Sequence, residues 1–246
     1  MLGLGLGFLV RAQALRLKRD KMIESFNAIK ESLPYLLQGG VITLVIVVGA
    51  MALGLVLGLC MAVGQVYGHP FLKRVIGVYI WFFQGVPILV LLFLFYFGLF
   101  NYIGLNLGAV AAVMVVLGMT TAAYQANIFR GAILLLPQGQ FKAASAIGMS
   151  DLTAITSIIL PQVLRLSIPA WSNEFSIVLK DSALAFVLGA PEIMARAKFI
   201  ASRTYEHLPL YIIAGLIYFV LTWAGVMALS KLEKTVRIPG YSNKGM

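Results

Sequence analysis

The chain has 246 residues, of which 61% are apolar and 11% are charged, and its mean hydropathy is +0.94. Soluble domains average about 45–50% apolar and 25% charged residues, so the composition excludes an ordinary soluble protein and indicates an integral membrane protein. The net charge of +10 does not indicate nucleic acid binding, because no basic run is interleaved with stacking aromatics. Lys and Arg instead collect in the cytoplasmic loops of membrane proteins.

The N-terminal residues 1–34 are predicted to form an interfacial segment. The apolar run at 2–10 is too short to span a bilayer, and the basic residues follow it rather than lead it, unlike a cleaved signal. Residues 8–30 then mix apolar and charged side chains, which suits a helix lying in the membrane interface.

Five apolar segments follow that are long enough to cross the bilayer as helices, each bounded by Gly, Pro or charge. They lie at about 35–63, 75–100, 105–129, 163–190 and 208–230. A β-barrel would instead show short alternating segments. The sequence therefore predicts an all-α membrane domain over residues 35–232 and a cytoplasmic tail over 233–246.

The Lys and Arg distribution predicts the orientation of these spans. The loop after the first span carries Lys73 and Arg74, and the region after the third carries Arg130, Lys142 and Arg165. Placing these regions and the basic tail in the cytoplasm puts the N-terminus outside. The basic N-terminal segment disagrees with this assignment, and a sixth crossing or a re-entrant first segment would be the alternative.

A polar segment, "QGQFKAASAIGMSDLTAITSIILPQ" at 138–162, interrupts the apolar pattern. We predict a cytoplasmic helix–turn–helix over residues 138–160. Gly148 suits a left-handed C-terminal position, Ser150 can cap the next helix, and Pro161 is expected to stop it. An ordinary interfacial connector is the alternative interpretation.

At this hairpin the chain resembles the membrane subunit of type I ATP-binding-cassette importers, specifically the polar amino acid permeases. The family signature reads E-A-A, three residues, G, nine residues, I-x-L-P, and its positions are occupied here by Ala143, Ala144, Gly148, Ile158, Leu160 and Pro161. Further agreement lies in "FFQGVPILVLLFLFYFGL" (82–99), "LLPQGQ" (135–140) and "SNEFSIVLKDSALAFVLGAPEI" (172–193). The resemblance covers about residues 36–240.

The resemblance implies a non-catalytic, cofactor-free permease subunit with about five spans, in the bacterial inner membrane. It implies two ATPase subunits, a second permease subunit that is identical or paralogous, an extracytoplasmic solute-binding protein and an amino acid as the transported solute. In the family this hairpin is the coupling helix that docks into the ATPase. The residues that it assigns to ATPase coupling are Lys142, Ala143, Ala144, Gly148, Met149, Ser150 and Pro161.

Three residues depart from the family pattern. Lys142 stands where the signature usually has Glu, Gln84 replaces a usual Arg, and Asn127 replaces a common Glu. The first change reverses the sign of the charge, so either an acidic residue of the ATPase compensates for it or the shape of the turn dominates docking.

The sequence contains no recognisable catalytic, nucleotide-binding or metal-binding motif. The chain lacks a phosphate-binding G-x-x-x-x-G-K-[ST] loop, since "GYSNKG" at 240–245 ends without the required Lys and Ser/Thr. His69 and His207 have no ligand-spaced partners, and Cys60 is the only cysteine. We therefore expect neither ATP hydrolysis nor a metal site in this subunit.

Polar residues in the fourth span are the candidates for a solute path, because ionisable groups at bilayer depth cost at least about 2.5 kcal/mol unless they are paired or hydrated. The candidate path residues are Asn173, Glu174, Lys180, Asp181, Ser182 and, in span two, Gln84. Asn173 and Lys180 share one helix face and Glu174 and Asp181 the neighbouring one. We predict that Asn173 and Glu174 face the solute, whereas Lys180 and Asp181 chiefly hold the architecture.

Other polar or small positions are expected to serve packing. Gly49, Gly54 and Gly58 in the first span give small-residue faces that permit close helix contact. The aromatics of span two are expected to pack against helices or lipid. A stand-alone secondary carrier, with the ionisable groups of span four as proton carriers, is the alternative function, although no inverted repeat is seen. A membrane-anchored scaffold would leave that charged span unexplained.

Overall fold

The structure of the chain is a computed structural model that describes residues 2–137 and 139–237, with side chains from residue 30 onward. Every regular element within these residues is a helix. The α-helices are α1 (Leu2–Tyr67), α2 (Pro70–Gly85), α3 (Ile88–Phe93), α4 (Phe100–Tyr102), α5 (Ala109–Leu135), α6 (Gly139–Ala146), α7 (Asp151–Ala154), α8 (Leu160–Asp181), α9 (Ile193–Thr204) and α10 (His207–Val236). Two π-helical turns, Leu94–Leu99 and Ile155–Ile159, join α3 to α4 and α7 to α8, and a 3₁₀ helix (Ser182–Leu188) follows α8.

Four helical segments of the described residues are long and apolar enough to cross a membrane. They are Lys30–Tyr67, Ala109–Leu135, Asp151–Leu188 and His207–Val236. A fifth crossing is the pair Pro70–Gly85 and Ile88–Tyr102, if these two helices count as one broken span. The predicted all-α membrane fold with about five spans is confirmed.

The second span is not the single helix that was expected over 75–100. Its two parts are bent by 107° at the break between Gly85 and Ile88. Pro87 has no N–H to continue the α2 hydrogen-bond ladder, and its backbone at φ −56° and ψ 137° starts α3 in a new direction. The proline therefore breaks a span that hydropathy alone presents as continuous.

The backbone does not break at the predicted domain boundaries. Helix α1 continues through Pro34, and α10 runs past residue 232 to Val236. The interfacial role of residues 1–34 and the tail at 233–246 stay predictions, because side chains before Lys30 and all residues after Arg237 lie outside those described.

Helix α5 lies at the centre of the fold, packed most closely against α1. A Cβ atom on Gly54 would lie 2.5 Å from Gln125 Nε2, and one on Gly58 would lie 2.8 Å from Gln125 Cβ. A Cβ atom on Gly49 would overlap with Met114 Sδ. The predicted packing role of these glycines is confirmed, since any larger side chain would force α1 and α5 apart.

The aromatics of span two form a chain of ring contacts. The ring centroids of Tyr79 and Phe83 are 4.5 Å apart, those of Phe83 and Phe95 are 5.9 Å apart, and those of Phe95 and Phe100 are 5.7 Å apart. Trp81, by contrast, is largely exposed on the outer surface. The ring contacts join the two halves of the bent span. Phe83, Phe95 and Phe100 are also part of the buried core that includes residues of α1 and α5, as expected.

Candidate functional site

The hairpin between α5 and α8 has the turn that the sequence predicts. Gly148 has φ +82°, a left-handed conformation that glycine adopts without a steric penalty. Met149 N donates to Ala144 O at 3.1 Å across this turn, and Ser150 Oγ accepts from Thr153 N at 3.3 Å to cap α7. The predicted conformation of Gly148 and the predicted cap at Ser150 are confirmed.

The prediction that Pro161 stops the second helix of the hairpin is wrong. Helix α7 continues through the π-helical turn Ile155–Ile159 into α8, and Pro161 lies in the first turn of α8. Within the wider turn, Leu160 N donates to Ile155 O, so the missing N–H of the proline falls where the hydrogen-bond ladder is already displaced. The hairpin and span four therefore share one helical rod.

Side-chain contacts hold the hairpin against the membrane helices. The amides of Gln140 and Gln162 exchange two hydrogen bonds, of 3.1 and 2.8 Å, and the Tyr67 and Phe141 rings stack at 5.3 Å. Of the predicted coupling residues, Ala144 is buried and Met149 is half-buried, whereas the rest are exposed: Lys142, Ala143, Gly148, Ser150 and Pro161.

Two exposed apolar side chains of the hairpin were not singled out as candidate site residues from the sequence. Ile147 is 78% exposed and Leu152 is 72% exposed, on either side of the Gly148 turn. Their position beside the predicted glycine turn was the available signal.

The carboxylates of span four line a cavity of about 110 Å³ between α3, α5 and α8. Glu174 is buried, at 5% exposure, and Asp181 is half-buried, whereas Asn173 and Lys180 are exposed on another face of α8. The structure thus groups Glu174 with Asp181 rather than with Asn173. The cavity is lined by Ile88, Leu117, Thr120, Thr121, Tyr124, Glu174, Ile177, Val178 and Asp181.

A hydrogen-bond network that was not predicted from the sequence reaches the cavity from α5. Thr121 Oγ1 donates to Glu174 Oε1 at 2.5 Å, and Gln125 Nε2 lies 3.4 Å from Thr121 Oγ1 and 3.3 Å from Met51 O. Trp171 Nε1 donates to Gln125 Oε1 at 2.8 Å. The available signal was a Thr and a Gln spaced four residues apart in an apolar span, which places them on one helix face.

Besides Asn173 and Lys180, two more of the predicted path residues, Gln84 and Ser182, do not line this cavity. Gln84 Nε2 donates to Ala123 O at 3.3 Å, and Asn127 Nδ2 approaches Gln84 Oε1 at 3.5 Å, so Gln84 connects α2 to α5. Ser182 is buried and its Oγ donates to Leu179 O at 2.7 Å. Both side chains are thus engaged in hydrogen bonds to backbone oxygens of the protein.

A second buried carboxylate, Glu192, caps α9 near the predicted outer face. Its oxygens accept from Met194 N at 2.8 Å and Ala195 N at 2.6 Å, and the Tyr218 hydroxyl also donates to it. Burial raises the pKa of the Glu192 carboxyl above its ordinary value, although the hydrogen bonds from Tyr218, Met194 and Ala195 oppose the shift. Glu192 lies outside the candidate spans. Through the hydrogen bond from Tyr218, Glu192 joins α9 to α10.

Within the described residues, no group of three or more His, Cys, Asp or Glu side chains is arranged to hold a metal ion.

Comparison with known proteins places this architecture in a family. Residues 54–238 match the family described as "Binding-protein-dependent transport system inner membrane component". The probable amino-acid ABC transporter permease protein YckA of Bacillus subtilis (strain 168) is 37% identical over 204 residues, which cover 83% of this chain and 90% of YckA.

Two further comparisons agree with this result. The histidine/lysine/arginine/ornithine transport system permease protein HisM of Salmonella typhimurium is 31% identical over 214 residues, covering 81% of this chain and 89% of HisM. A chain from a crystal structure of an amino acid ABC transporter with histidines is 33% identical, with a TM-score of 0.75, covering 85% of this chain and 98% of that one. The resemblance read from the hairpin signature is confirmed: this multi-pass membrane protein belongs to the family of binding-protein-dependent transport system inner membrane components, the non-catalytic permease subunits of ABC transporters, whose ATPase is a separate subunit.

Proposed function

We propose that this chain is the permease subunit of an ATP-driven importer of a polar amino acid in a bacterial inner membrane. Two such subunits, identical or paralogous, would form the translocation path, two ATPase subunits would dock on the hairpins, and an extracytoplasmic binding protein would deliver the solute. The names of YckA and HisM support an amino acid as the solute. The family relationship disfavours the alternative of a stand-alone secondary carrier.

The observation that carries the solute assignment is the pair of carboxylates in one cavity. Glu174 and Asp181 both line it, and none of its other lining residues is a cation. A carboxylate at bilayer depth is unfavourable by at least about 2.5 kcal/mol unless it finds a partner. A solute ammonium or guanidinium would supply that partner, so the cavity favours a basic amino acid over an acidic one.

The size of the cavity indicates which part of the solute it receives. At about 110 Å³ it fits a cationic head group rather than a whole basic amino acid. The remainder of the solute would lie outside it, toward the second permease subunit. HisM, which is 31% identical to this chain, is named for the transport of histidine, lysine, arginine and ornithine. Its name therefore supports a basic amino acid as the solute of this chain.

The continuous helix from the hairpin to the cavity provides the mechanical connection. Asp151 begins the rod that reaches Glu174 on the same helical path, a length of roughly 34 Å at 1.5 Å per residue. Closure of the ATPases on the hairpin would therefore tilt span four and move the cavity carboxylates relative to Thr121 on α5. This motion would alternate the access of the solute between the two sides.

Uptake by the assembled importer in proteoliposomes, with the binding protein supplied, tests the proposal. We expect Glu174→Gln to lower uptake per assembled complex by at least about tenfold, a factor equivalent to losing one charge-assisted interaction. Asn173→Ala, on the exposed face, is the matched control and should keep most of the uptake. Competition should rank lysine or arginine above glutamine and glutamine above glutamate. Normal uptake by Glu174→Gln, or strongest competition by glutamate, would refute the solute assignment.

A further inference from the structure

An apolar groove lies between α1, α8 and α10, separate from the carboxylate cavity. It consists of two adjoining cavities of about 280 and 380 Å³ that share Leu55, Trp171 and Leu229. We call it the α8–α10 groove. Its lining is almost entirely hydrocarbon, apart from Arg165 and Ser167. A groove of this kind suits an apolar chain rather than a polar solute.

The groove opens on the side of α8 that faces away from the exposed polar residues. Asn173 and Lys180 follow Trp171 by two and nine residues, which places them about 200° and 180° around the helix from it. Only 6% of the most apolar stretch of α10 is buried. The groove therefore opens onto the outer surface of the chain, whereas the polar face of α8 points in the opposite direction.

The groove has the length of one membrane leaflet. On α10 it extends from Gly225 to Val236, a rise of roughly 16 Å. Half of a hydrocarbon core of about 30 Å is about 15 Å. Arg165 and Val236 lie at the same end, which is the cytoplasmic end in the predicted orientation. The groove thus runs through the cytoplasmic leaflet, with an arginine at its mouth.

Two polar groups at this end have no partner among the described residues. Arg165 is exposed and makes no hydrogen bond or ion pair with the described residues. Ser167 is only 2% exposed, and its hydroxyl has no hydrogen-bond partner in the described part of the protein. Buried hydroxyls are normally paired, so an unpaired one beside a groove indicates that a ligand supplies an acceptor.

We propose that the α8–α10 groove binds an anionic phospholipid of the cytoplasmic leaflet. One acyl chain fills the apolar groove, the phosphate lies at Arg165, and an ester carbonyl is within the range of the Ser167 hydroxyl. Anionic lipids are concentrated in this leaflet, which matches the positive charge at the mouth. The lipid fills the gap beside the cytoplasmic half of α8, the helix that carries both the hairpin and Glu174.

Fluorescence of Trp171 in the purified importer tests this site, because Trp171 lines both parts of the groove. Trp81→Phe and Trp223→Phe, at exposed positions, leave Trp171 as the single tryptophan of this chain. The additional Trp171→Phe change gives the background from the partner subunits. The probes are phosphatidylglycerol and phosphatidylcholine with brominated acyl chains, which quench tryptophan on contact.

We expect brominated phosphatidylglycerol to quench Trp171 with about fivefold greater affinity than phosphatidylcholine, as one arginine near an anionic headgroup provides. Arg165→Gln should remove this preference, whereas Arg130→Gln, at another exposed arginine, should keep it. Ala228→Phe should fill the groove and reduce quenching by both lipids. Ala224→Phe, one turn earlier and outside the lining, is its matched control.

Three results would overturn the proposal. Equal quenching by both lipids in the unmodified groove, or a preference that survives Arg165→Gln, would show that the site does not recognise an anionic headgroup. A variant that retains only Trp223 reports on the lipid-exposed surface of α10. If both lipids quench Trp223 but neither quenches Trp171, the groove is covered by the second permease subunit. None of these outcomes depends on which solute is transported.

Discussion

Thr121 on α5 donates a hydrogen bond to Glu174 on α8 at 2.5 Å, in a region where both side chains are buried. This contact joins the central helix of the fold to the helix that continues into the hairpin. A buried carboxylate depends on such donors, because each unmade hydrogen bond to a charged group costs more than one between neutral groups. The bond is therefore expected to hold Glu174 in place when the cavity is empty.

Thr121→Val removes this donor and keeps the shape of the side chain. We expect assembly to be retained and uptake per assembled complex to fall by about tenfold, because an unpaired carboxylate of this kind costs about 1.5–3 kcal/mol. Thr120→Val is the matched control, since Thr120 lines the same cavity but donates to Val116 O of its own helix. Equal losses from the two variants in a proteoliposome uptake assay would contradict a special role for the Thr121 bond.

Asp181→Asn distinguishes a solute contact from a structural role. Asp181 was predicted from the sequence to hold the architecture, but its position in the cavity with Glu174 favours the solute path. We expect normal amounts of assembled importer and reduced uptake of basic amino acids. Lys180→Gln, on the exposed face, should change uptake by less than about twofold. Loss of assembled complex on size-exclusion chromatography would instead support the architectural role.

Gly148→Val should uncouple the importer. No heavy atom lies within 4 Å of a Cβ placed on Gly148, so the cost arises from φ +82° alone, about 1–2 kcal/mol for an ordinary L-residue. The strained turn would misalign α6 and α7, so we expect ATP hydrolysis to continue while solute uptake falls. Asn tolerates the left-handed conformation, so Gly148→Asn should be milder.

A second hairpin glycine provides the control for this experiment. Gly139 also has open space around its Cβ position but does not have a positive φ, so Gly139→Ala should leave uptake and ATP hydrolysis coupled. Coupled transport by Gly148→Val at normal abundance would show that the hairpin is an ordinary connector.

Local features of the fold were predictable from the sequence because they depend on neighbouring residues. The spans follow from hydropathy, the Gly148 turn from backbone sterics, and the close approach at Gly54 from the absence of a side chain. The wrong prediction at Pro161 also comes from a rule about neighbouring residues. The proline rule predicts a stop, but a π-helical turn just before it accommodates the missing donor.

The candidate site was only partly predictable, because it is assembled from different spans. Glu174 was identified from the sequence because an ionisable side chain in an apolar span carries an unfavourable free energy of insertion. Its grouping with Asp181 and its bond to Thr121 depend on how α5 lies against α8, which periodicity within one helix does not specify. The cap at Glu192 and its bond from Tyr218 likewise join residues that are 26 positions apart.

Gly54→Val should destabilise the contact between α1 and α5. The new side chain would meet Thr121 Cγ2 and Gln125 Nε2, each 2.5 Å from the Cβ position, and overpacking of this kind costs about 1–3 kcal/mol. We expect a lower melting temperature and less folded protein in detergent. Gly77→Ala is the control, because no heavy atom lies within 4 Å of its Cβ position. Equal melting temperatures for Gly54→Val and the parent would contradict the close packing.

The buried carboxyl of Glu192 should make stability depend on pH. Its pKa is raised in the folded protein, chiefly by burial, so the folded state holds its proton to higher pH than the unfolded state does. The stabilisation is therefore fully present below the ordinary carboxyl pKa of 4.5 and is lost as the pH rises through the folded-state value. We expect the melting temperature of the parent to rise, relative to Glu192→Gln, as the pH is lowered from about 7.5 to 5.

Tyr218→Phe tests the partner of this carboxyl and should enlarge the effect. The Tyr218 hydroxyl stabilises the charged form of Glu192, so its removal should raise the pKa of that carboxyl further. We expect the destabilisation by Tyr218→Phe to be smaller at pH 5 than at pH 7.5, because protonation of Glu192 removes the charge that the hydroxyl stabilises. Glu206→Gln is the control, because Glu206 makes no side-chain capping bond at the start of α10. Melting curves of Tyr218→Phe and the parent that stay a constant distance apart between the two pH values would show that the hydroxyl does not control the charge of Glu192.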